Sequence, residues 1–293
     1  MHTNRIRICL FSITKRITNY KGDRPITWVM SELSKRTAEL LDASAARLFE
    51  GRDVAVAFSG GIDSGIVAAL AVRHASSVRL YTAGTEGSHD IAAAREIAPQ
   101  IGAELSEIAV RESDIPDILR EVMRLTGSDS PMMLSFELPL FCVLRSCGEG
   151  FVAGGQGSDE QFGGYSKYAG KGAAAMREEM AADMGRLFRE TRPAEARMAQ
   201  GFGKEILYPY LDRDLVAFMR SAPDSEILPT AEGERKMLLS AAARDLGLPF
   251  LADRPKKAAQ YGSGTMDAVR RICKKRGITF SQLVSQLRKD LDG

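Results

Sequence analysis

Two short stretches of the chain combine glycines with serines and carboxylates, the residue types that together hold a polyphosphate and a divalent metal. Residues 59–64 have the sequence Ser-Gly-Gly-Ile-Asp-Ser, and residues 154–165 the sequence Gly-Gly-Gln-Gly-Ser-Asp-Glu-Gln-Phe-Gly-Gly-Tyr. A glycine turn at a helix start directs backbone N–H groups and the positive end of the helix dipole at one point, which suits phosphate. Asp63 would repel phosphate unless a divalent cation lies between them, so the stretch predicts a metal-bridged polyphosphate site.

Simpler interpretations exist for both stretches. The first is an ordinary glycine-rich turn without a ligand, and the second is a solvated loop that tolerates acids. The complete pattern Ser-Gly-Gly-x-Asp-Ser is more specific than a lone Ser-Gly-Gly, and it is not a Walker A loop because no Gly-Lys-Ser/Thr follows. We therefore favour the polyphosphate site.

The elements around these stretches predict an α/β fold with a doubly wound parallel sheet. Val54 to Phe58 is a short apolar run typical of a buried parallel strand, and further strands are predicted at 78–82, 105–110 and 151–153. The predicted helices between them cover residues 31–49, 65–74, 88–98, 114–125 and 134–147, with Pro99 ending one and Pro139 interrupting another. Ligands of such sheets bind at the carboxyl ends of the strands. Phe58, Thr82 and Gly154 lie at predicted strand ends and are therefore candidate site positions.

The second half of the chain has a different character. From about residue 173 strand signals vanish, and helices are predicted at 173–192, 212–222, 234–246, 265–275 and 281–291. We expect a mainly helical C-terminal layer folded over the sheet. The predicted main unit is residues 30–293, with a nucleotide-binding core at 30–170 and a helical portion at 171–293.

Composition narrows the class of protein. The 293 residues are 44% hydrophobic and 27% charged, ordinary values for a globular enzyme, and no apolar run approaches a membrane span. The net charge of +2 argues against a nucleic-acid partner. The four cysteines lack metal-ligand spacing and imply no disulfide framework, which predicts a cytoplasmic protein.

Residues 1–29 differ in charge from the rest of the chain. They carry a charge of +5, which leaves −3 for the remainder. The simplest interpretation is a basic, poorly ordered arm without catalytic residues. Two others remain open: Met30 is the natural start, or the arm touches nucleic acid.

Five segments in order resemble the synthetase domain of the asparagine synthetases, which are N-type ATP pyrophosphatases. They are residues 59–64, 84–96, 154–165, 209–212 and 254–256, within a span of roughly 35–265. The resemblance implies an adenine nucleotide alpha-hydrolase-like fold. It also implies a reaction in which a substrate carboxylate is adenylated by Mg-ATP, pyrophosphate leaves, and ammonia converts the acyl-adenylate to an amide.

The resemblance also implies site residues, with ATP and Mg²⁺ as cofactors. Asp63 and Asp159 match the metal-binding carboxylates, and Lys256 matches a lysine that stabilises charge on the intermediate and the departing phosphates. Gln156 stands where many members have glutamate; an amide cannot act as a base, but it could orient the intermediate. The expected ATP contacts are Ala57, Phe58, Ser59, Gly60, Gly61, Asp63, Ser64, Ala83, Gly84, Gly154 and Gly155.

The departures from the family pattern leave alternatives open. Only about 50 residues precede the first strand and residue 2 is His2, so we expect no glutaminase domain, and ammonia would come from solution or a separate glutaminase subunit. Residues 128–131 match the family's Ser-Thr-Pro segment only loosely. Aspartate is the leading substrate; the alternatives are another carboxylate, ring closure by an internal amine, or a non-catalytic nucleotide-binding regulator. The sequence leaves a homo-oligomer open as well.

Overall fold

A sheet of five parallel strands forms the centre of the molecule, in the order β3-β2-β1-β4-β5. The computed structural model describes residues 26–230, 233–252 and 259–292. Its strands are Asp53–Ala57 (β1), Ser77–Gly84 (β2), Glu104–Ala109 (β3), Phe151–Ala153 (β4) and Glu205–Leu207 (β5). The order confirms the predicted parallel α/β sheet, with β1 at its centre.

Four of the strands follow the prediction to within two residues at each end, and β5 was missed. β5 has only three residues and pairs with β4, where Phe151 lies opposite Glu205. So short a run shows no alternation of polar and apolar residues, and its pairing partner lies 54 positions earlier. The second half of the chain thus contributes an edge strand to the sheet.

Helices surround the sheet and fill most of the second half of the chain. Those before β4 are Ile26–Phe49 (α1), Ile62–His74 (α2), His89–Ile101 (α3), Ile115–Thr126 (α4) and Pro131–Ser146 (α5). Those after it are Ser158–Gln161 (α6), Ala173–Arg186 (α7), Arg192–Gln200 (α8), Arg213–Ser221 (α9), Asp224–Ile227 (α10), Met237–Asp245 (α11), Pro249–Ala252 (α12), Ala259–Gly262 (α13), Thr265–Arg276 (α14) and Phe280–Asp292 (α15).

Prolines account for two of the differences between the predicted and the observed helices. α3 and α5 continue through Pro99 and Pro139, because one missing N–H is outweighed by packing of the helix on the sheet. The predicted helix at 173–192 instead ends at Arg186, a π-helical turn spans Leu187–Thr191, and α8 follows. Pro193 lies in the first turn of α8, where its missing N–H has no helical partner in any case.

The first helix begins earlier than predicted. α1 starts at Ile26 rather than at residue 31, so the last four residues of the predicted arm at 1–29 are helical. The rest of that arm, residues 1–25, lies outside the described part of the chain.

Alternate residues of the strands face two separate hydrophobic cores. Val54, Val56 and Leu80 point to the core formed with α1, α2, α3 and α11. Ala55 and Val152 point to the core formed with α4, α5, α14 and α15. Helices of the C-terminal half therefore cover both faces of the sheet, which is the doubly wound arrangement that the sequence predicts. No helix within the described ranges has the length and apolar character needed to cross a membrane.

Candidate functional site

The first glycine-rich loop joins the carboxyl end of β1 to α2. Ser59 donates its backbone N–H to Ser64 Oγ at 3.1 Å, and the hydroxyls of Ser59 and Ser64 lie 3.2 Å apart. α2 begins at Ile62, so its first N–H groups, which lack partners within the helix, surround the same loop. The loop thus offers amides and hydroxyls to an anion at the positive end of a helix dipole.

Gly60 fixes the path of this loop. Its φ is +74°, and a Cβ there would lie 2.5 Å from the backbone carbonyl carbon of Ala93 in α3. Either condition alone disfavours any other residue at position 60. The positive φ would strain the backbone of a residue that has a Cβ, and the short distance would force the loop away from α3.

We expect Gly60→Ala to lower the free energy of unfolding more than Gly102→Ala does. Gly102 has a similar φ of +82°, but a Cβ there would meet nothing within 4 Å, so its substitution carries only the backbone cost of about 1–2 kcal/mol. Gly60→Ala adds the clash with α3, at roughly 1–3 kcal/mol more. Urea unfolding of both variants measures the difference; equal losses would contradict the close packing of loop and helix.

The second glycine-rich loop follows β4 and lies against the first. A Cβ on Gly155 would lie 2.8 Å from Asp63 Cβ and 3.2 Å from Ser64 N. The two loops are therefore in contact, at the carboxyl ends of the neighbouring parallel strands β1 and β4.

Asp63 and Asp159, one from each loop, meet at the ammonium of Lys236. Lys236 Nζ lies 2.6 Å from Asp159 Oδ1, and it donates to Asp63 Oδ1 and, at 3.0 Å, to Ser158 Oγ. Ser158 Oγ in turn donates to Asp63 Oδ1 at 2.8 Å. The Lys236 side chain is only 4% exposed, whereas the two carboxylates are about one-fifth exposed. One face of the cluster is thus open to a ligand.

The backbone around Lys236 is specialised for this contact. Its φ of +58° is the one positive value at a non-glycine residue in the described ranges. A Cβ on Gly164 would overlap both Asp159 Oδ1 and Lys236 Cε. Burial lowers the pKa of the Lys236 ammonium, and the nearby Asp63 carboxylate opposes that shift. A strained residue held between two acids is typical of a functional site rather than of a stabilising surface pair.

Lys236 was missed by sequence reasoning, although a signal exists. Arg235 and Lys236 directly precede α11, where the helix dipole disfavours cations. Lysine at that position implies a compensating negative partner elsewhere in the fold.

The Asp63–Asp159 pair fits a divalent cation. Both carboxylates converge on a single cationic atom, and oxygen ligands are those that Mg²⁺ prefers. No group of three or more acidic, histidine or cysteine side chains that could hold a metal is found among the described residues. A divalent cation held by these two carboxylates would take phosphate oxygens and water as further ligands, as is usual for Mg²⁺.

The remaining predicted ATP contacts lie along the ends of β1, β2 and β4. Phe58 is 2% exposed and packs in the core, so only its backbone is available; its N–H donates to Tyr81 O at 2.8 Å. A Cβ on Gly154 would lie 4.0 Å from Ala57 Cβ, on the adjacent strand. Ala83 and Gly84 end β2, and a Cβ on Gly84 would lie 2.8 Å from Ser263 O.

The side chain of Gln156 bonds to a buried acidic cluster. Its Nε2 donates to Glu195 Oε1 at 3.0 Å, and Tyr208 Oη donates to Glu195 Oε2 at 2.7 Å. Glu195 is 3% exposed and Glu137, close to it, is 2% exposed. Burial raises the pKa of Glu195 to about 7, and burial together with Glu195 raises the pKa of Glu137 well above its usual range. Neither glutamate stands in a motif that sequence reasoning could have selected.

Glu195 should make stability depend on pH. Its folded pKa of about 7 exceeds the ordinary value of 4.5, so its contribution to stability is greatest below about pH 4.5 and is lost as pH rises through about 7. We expect Glu195→Gln to be increasingly more stable than the unmodified protein across that window, by a total on the order of 3 kcal/mol.

Urea unfolding at a series of pH values measures this difference. Glu226→Gln is the matched control, because Glu226 is also a buried glutamate but lies in α10, outside the cluster. A stability difference between Glu195→Gln and the unmodified protein that stays constant with pH would contradict the raised pKa.

The predicted catalytic residue Lys256 lies outside the described residues. Lys236 and Glu195 are the two groups that the structure adds to the predicted set, and both come from the second half of the chain.

Comparison with known proteins identifies related chains. The family model described as asparagine synthase matches residues 36–171 and 167–286. The putative glutamine-hydrolysing asparagine synthetase 1 of Methanocaldococcus jannaschii is 27% identical over 281 residues, which covers 83% of this chain and 52% of that protein. The asparagine synthetase domain-containing protein 1 of Mus musculus is 38% identical over 117 residues, 37% of this chain and 18% of that protein.

The chain therefore spans about half the length of the first of these relatives and less of the second. Among solved structures, the NMN synthetase of Francisella tularensis aligns with a TM-score of 0.41 and 14% identity, over 89% of this chain and 86% of that one.

Proposed function

This chain belongs to the asparagine synthase family, and from that membership we propose that it is an ATP-dependent ligase that converts a carboxylate to an amide. The carboxylate attacks the α-phosphate of ATP, pyrophosphate leaves, and an amine displaces AMP from the acyl-adenylate. We assign this activity to a single unit at residues 30–293, acting in the cytoplasm on small molecules. The observation that carries the proposal is the convergence of Asp63 and Asp159 on Lys236 beside the start of α2.

The first loop would bind the departing pyrophosphate. The N–H groups at the start of α2 and the hydroxyls of Ser59 and Ser64 are donors arranged around one point. Gly60 and Gly61 keep that point open to phosphate oxygens. These donors are fixed before the reaction, so they stabilise charge that grows on pyrophosphate without reorganising.

Two cationic groups would balance the phosphates. Mg²⁺, held by Asp63 and Asp159, neutralises phosphate charge when it is bound. As ATP enters, Lys236 would move its ammonium from the two carboxylates to the phosphates. One position of the ammonium cannot contact both sets of oxygen atoms. Lys256 enters the proposal from the family resemblance alone, as a second cation on the intermediate.

Adenosine would lie along the strand ends. The backbone at Ala57, Phe58, Ala83 and Gly84 would frame the adenine, and Gly154 and Gly155 would approach the ribose. The lack of a side chain at Gly154, next to Ala57, supports a close approach of the nucleotide at this point.

The leading acceptor is aspartate, and a second candidate is a larger, more apolar carboxylate. Met132 and Phe136, on the first turns of α5, are 66% and 42% exposed and form an apolar surface directly after residues 128–131. Aspartate gains nothing from such a surface, whereas an apolar carboxylate would bury it.

Pyrophosphate release from Mg-ATP tests the proposal. We expect release from the purified protein to require a carboxylate, with the amide formed when ammonium is supplied; L-aspartate is tried first, then aliphatic and aromatic carboxylates. Glutamine in place of ammonium tests for a glutaminase activity or partner. ATP binding without release under any of these conditions would overturn the ligase and favour a nucleotide-binding regulator.

A further inference from the structure

The free edge of β5 borders a groove at the side of the sheet, rather than between the two glycine-rich loops. β5 is the last strand of the sheet, and α8 lies against it. The space between them has a volume of about 330 Å³ and offers aromatic rings, aliphatic carbons and two cations to a ligand. Its lining includes Phe188, Arg192, Pro193, Lys204, Ile206 and Tyr208.

The backbone of β5 has one unpaired side. Glu205 donates its N–H to Gly150 O at 2.9 Å and pairs with Phe151 of β4. Because peptide groups alternate in direction along a strand, the next residue, Ile206, directs its N–H and C=O away from β4. Neither group bonds to another residue within the described ranges. An extended chain placed beside β5 would pair with both groups.

Arg192 adds a cation to this groove. Its guanidinium lies over the rings of Phe188 and Tyr208, at 5.1 and 4.9 Å from their centroids. It lowers the pKa of Glu195 through its charge, but it forms no hydrogen bond or ion pair with any residue in the described part of the chain. Aromatic packing holds the guanidinium in place while its planar donors stay available, which suits a carboxylate.

Lys204 provides a second cation on the same face of the strand. Ile206 packs against the core formed with α4, α5, α14 and α15, which also includes residues of α8. Side chains alternate along a strand, so Lys204 and Tyr208 share that face, and Glu205, which also borders the groove, projects from the opposite one. Lys204 donates to Cys147 O at 2.9 Å, a neutral acceptor. The face beside the free edge is therefore positively charged at both ends.

These charges disfavour a second copy of the chain on this edge. Antiparallel pairing of two copies would be centred on Ile206, whose backbone groups face outward. Residues two positions to either side would then lie opposite each other, so Lys204 of each copy would approach Tyr208 and Arg192 of the other. Like charges placed opposite each other destabilise a strand pair, whereas acidic side chains at the same positions would stabilise it.

We propose that this edge binds an extended segment of another protein in which two acidic side chains flank an apolar one at alternate positions. The segment adds a strand beside β5 and exchanges backbone hydrogen bonds with Ile206. Its apolar side chain lies in the groove against α8, and its carboxylates bind Arg192 and Lys204. This interaction surface goes beyond the proposed ligase and does not depend on it.

A short peptide tests the surface. The probe is acetyl-Glu-Thr-Val-Thr-Glu-amide, added at up to about 5 mM to ¹⁵N-labelled protein. We expect a saturable shift of the Ile206 amide resonance. Replacing both acids of the peptide by lysine, or N-methylating its valine, should weaken binding at least about tenfold. The first change reverses the charges, and the second removes the N–H that would bond to Ile206 O.

Three results with the peptides would overturn the proposal. They are the absence of a saturable Ile206 shift, binding of the lysine peptide as tight as that of the probe, and binding of the N-methylated peptide as tight as that of the probe. The last of these would mean that the groove attracts acids without adding a strand.

Variants of the protein test the contacts separately. Arg192→Met should weaken probe binding at least about tenfold. The control is Arg220→Met, because Arg220 is an exposed arginine in the last turn of α9, and binding should not change. Ile206→Pro should abolish binding and remain folded, since the N–H that it removes is not used in the sheet. Melting temperatures show whether each variant is folded.

Two outcomes with these proteins would count against the acidic segment. One is unchanged probe binding in Arg192→Met, which can be read even if Ile206→Pro does not fold. The other is a dimer of the unmodified protein in sedimentation that Ile206→Pro converts to a monomer, because a second copy would then occupy the edge.

Discussion

Asp63→Asn is expected to lower carboxylate-dependent ATP–pyrophosphate exchange by roughly 100- to 1,000-fold while leaving the protein folded. Asparagine keeps the shape of the side chain and can still accept from Ser158 Oγ, which donates to Asp63 at 2.8 Å. It loses the negative charge that a divalent cation and Lys236 both require. Asp159→Asn should behave in the same way, since its carboxylate contacts the same ammonium.

Asp53→Asn is the matched control for these variants. Asp53 begins β1, at the opposite end of the strand from the site, and bonds to the Ser77 hydroxyl. Exchange in this variant should equal that of the unmodified protein. Normal exchange in both Asp63→Asn and Asp159→Asn would show that the metal assignment is wrong.

Lys236→Met is expected to lower exchange by a similar factor and also to destabilise the protein when divalent cations are chelated. Without the ammonium, two partly buried carboxylates lose the cationic partner that they share, at a cost of roughly 2–4 kcal/mol. Mg²⁺ should restore much of this loss, because it can occupy the position between Asp63 and Asp159. In the unmodified protein, where the Lys236 ammonium already offsets part of the negative charge of the pair, Mg²⁺ should add less stability.

Urea unfolding in chelator and in Mg²⁺ measures both effects. Lys171→Met is the control, because Lys171 is 42% exposed and pairs with Glu179 on the surface, where such pairs contribute at most about 1 kcal/mol. A Lys236→Met protein as stable in chelator as the unmodified one would remove Lys236 from the centre of the cluster.

The parts of the site that sequence reasoning found are those encoded locally. A strand, a glycine turn and a helix start are contiguous in residues 54–64, and parallel strands necessarily end at one edge. The contact between Gly155 and Asp63 follows from those two facts, although they are 92 positions apart.

What the sequence did not reveal depends on distant contacts. Lys236 reaches Asp63 across 173 positions, and Glu195 reaches Gln156 across 39. Neither residue belongs to a motif, and only the packing of α8 and of the segment before α11 brings them to the loops. The same limit applies to β5, which is a strand because β4 is beside it rather than because of its own three residues.

The proposed role of Lys236 would make the stability of the helical half of the molecule depend on bound nucleotide. It directly precedes α11, and α11 packs against α1 on the outside of the sheet. If ATP draws the ammonium away from the two aspartates, then binding at the strand ends changes the free energy of holding α11 in place. By reciprocity, anything that shifts α11 or α1 alters the affinity for ATP by the same factor. The positions of α1 and α11 would then influence ATP binding at the site. Protection of the α11 amides from hydrogen exchange should report nucleotide occupancy.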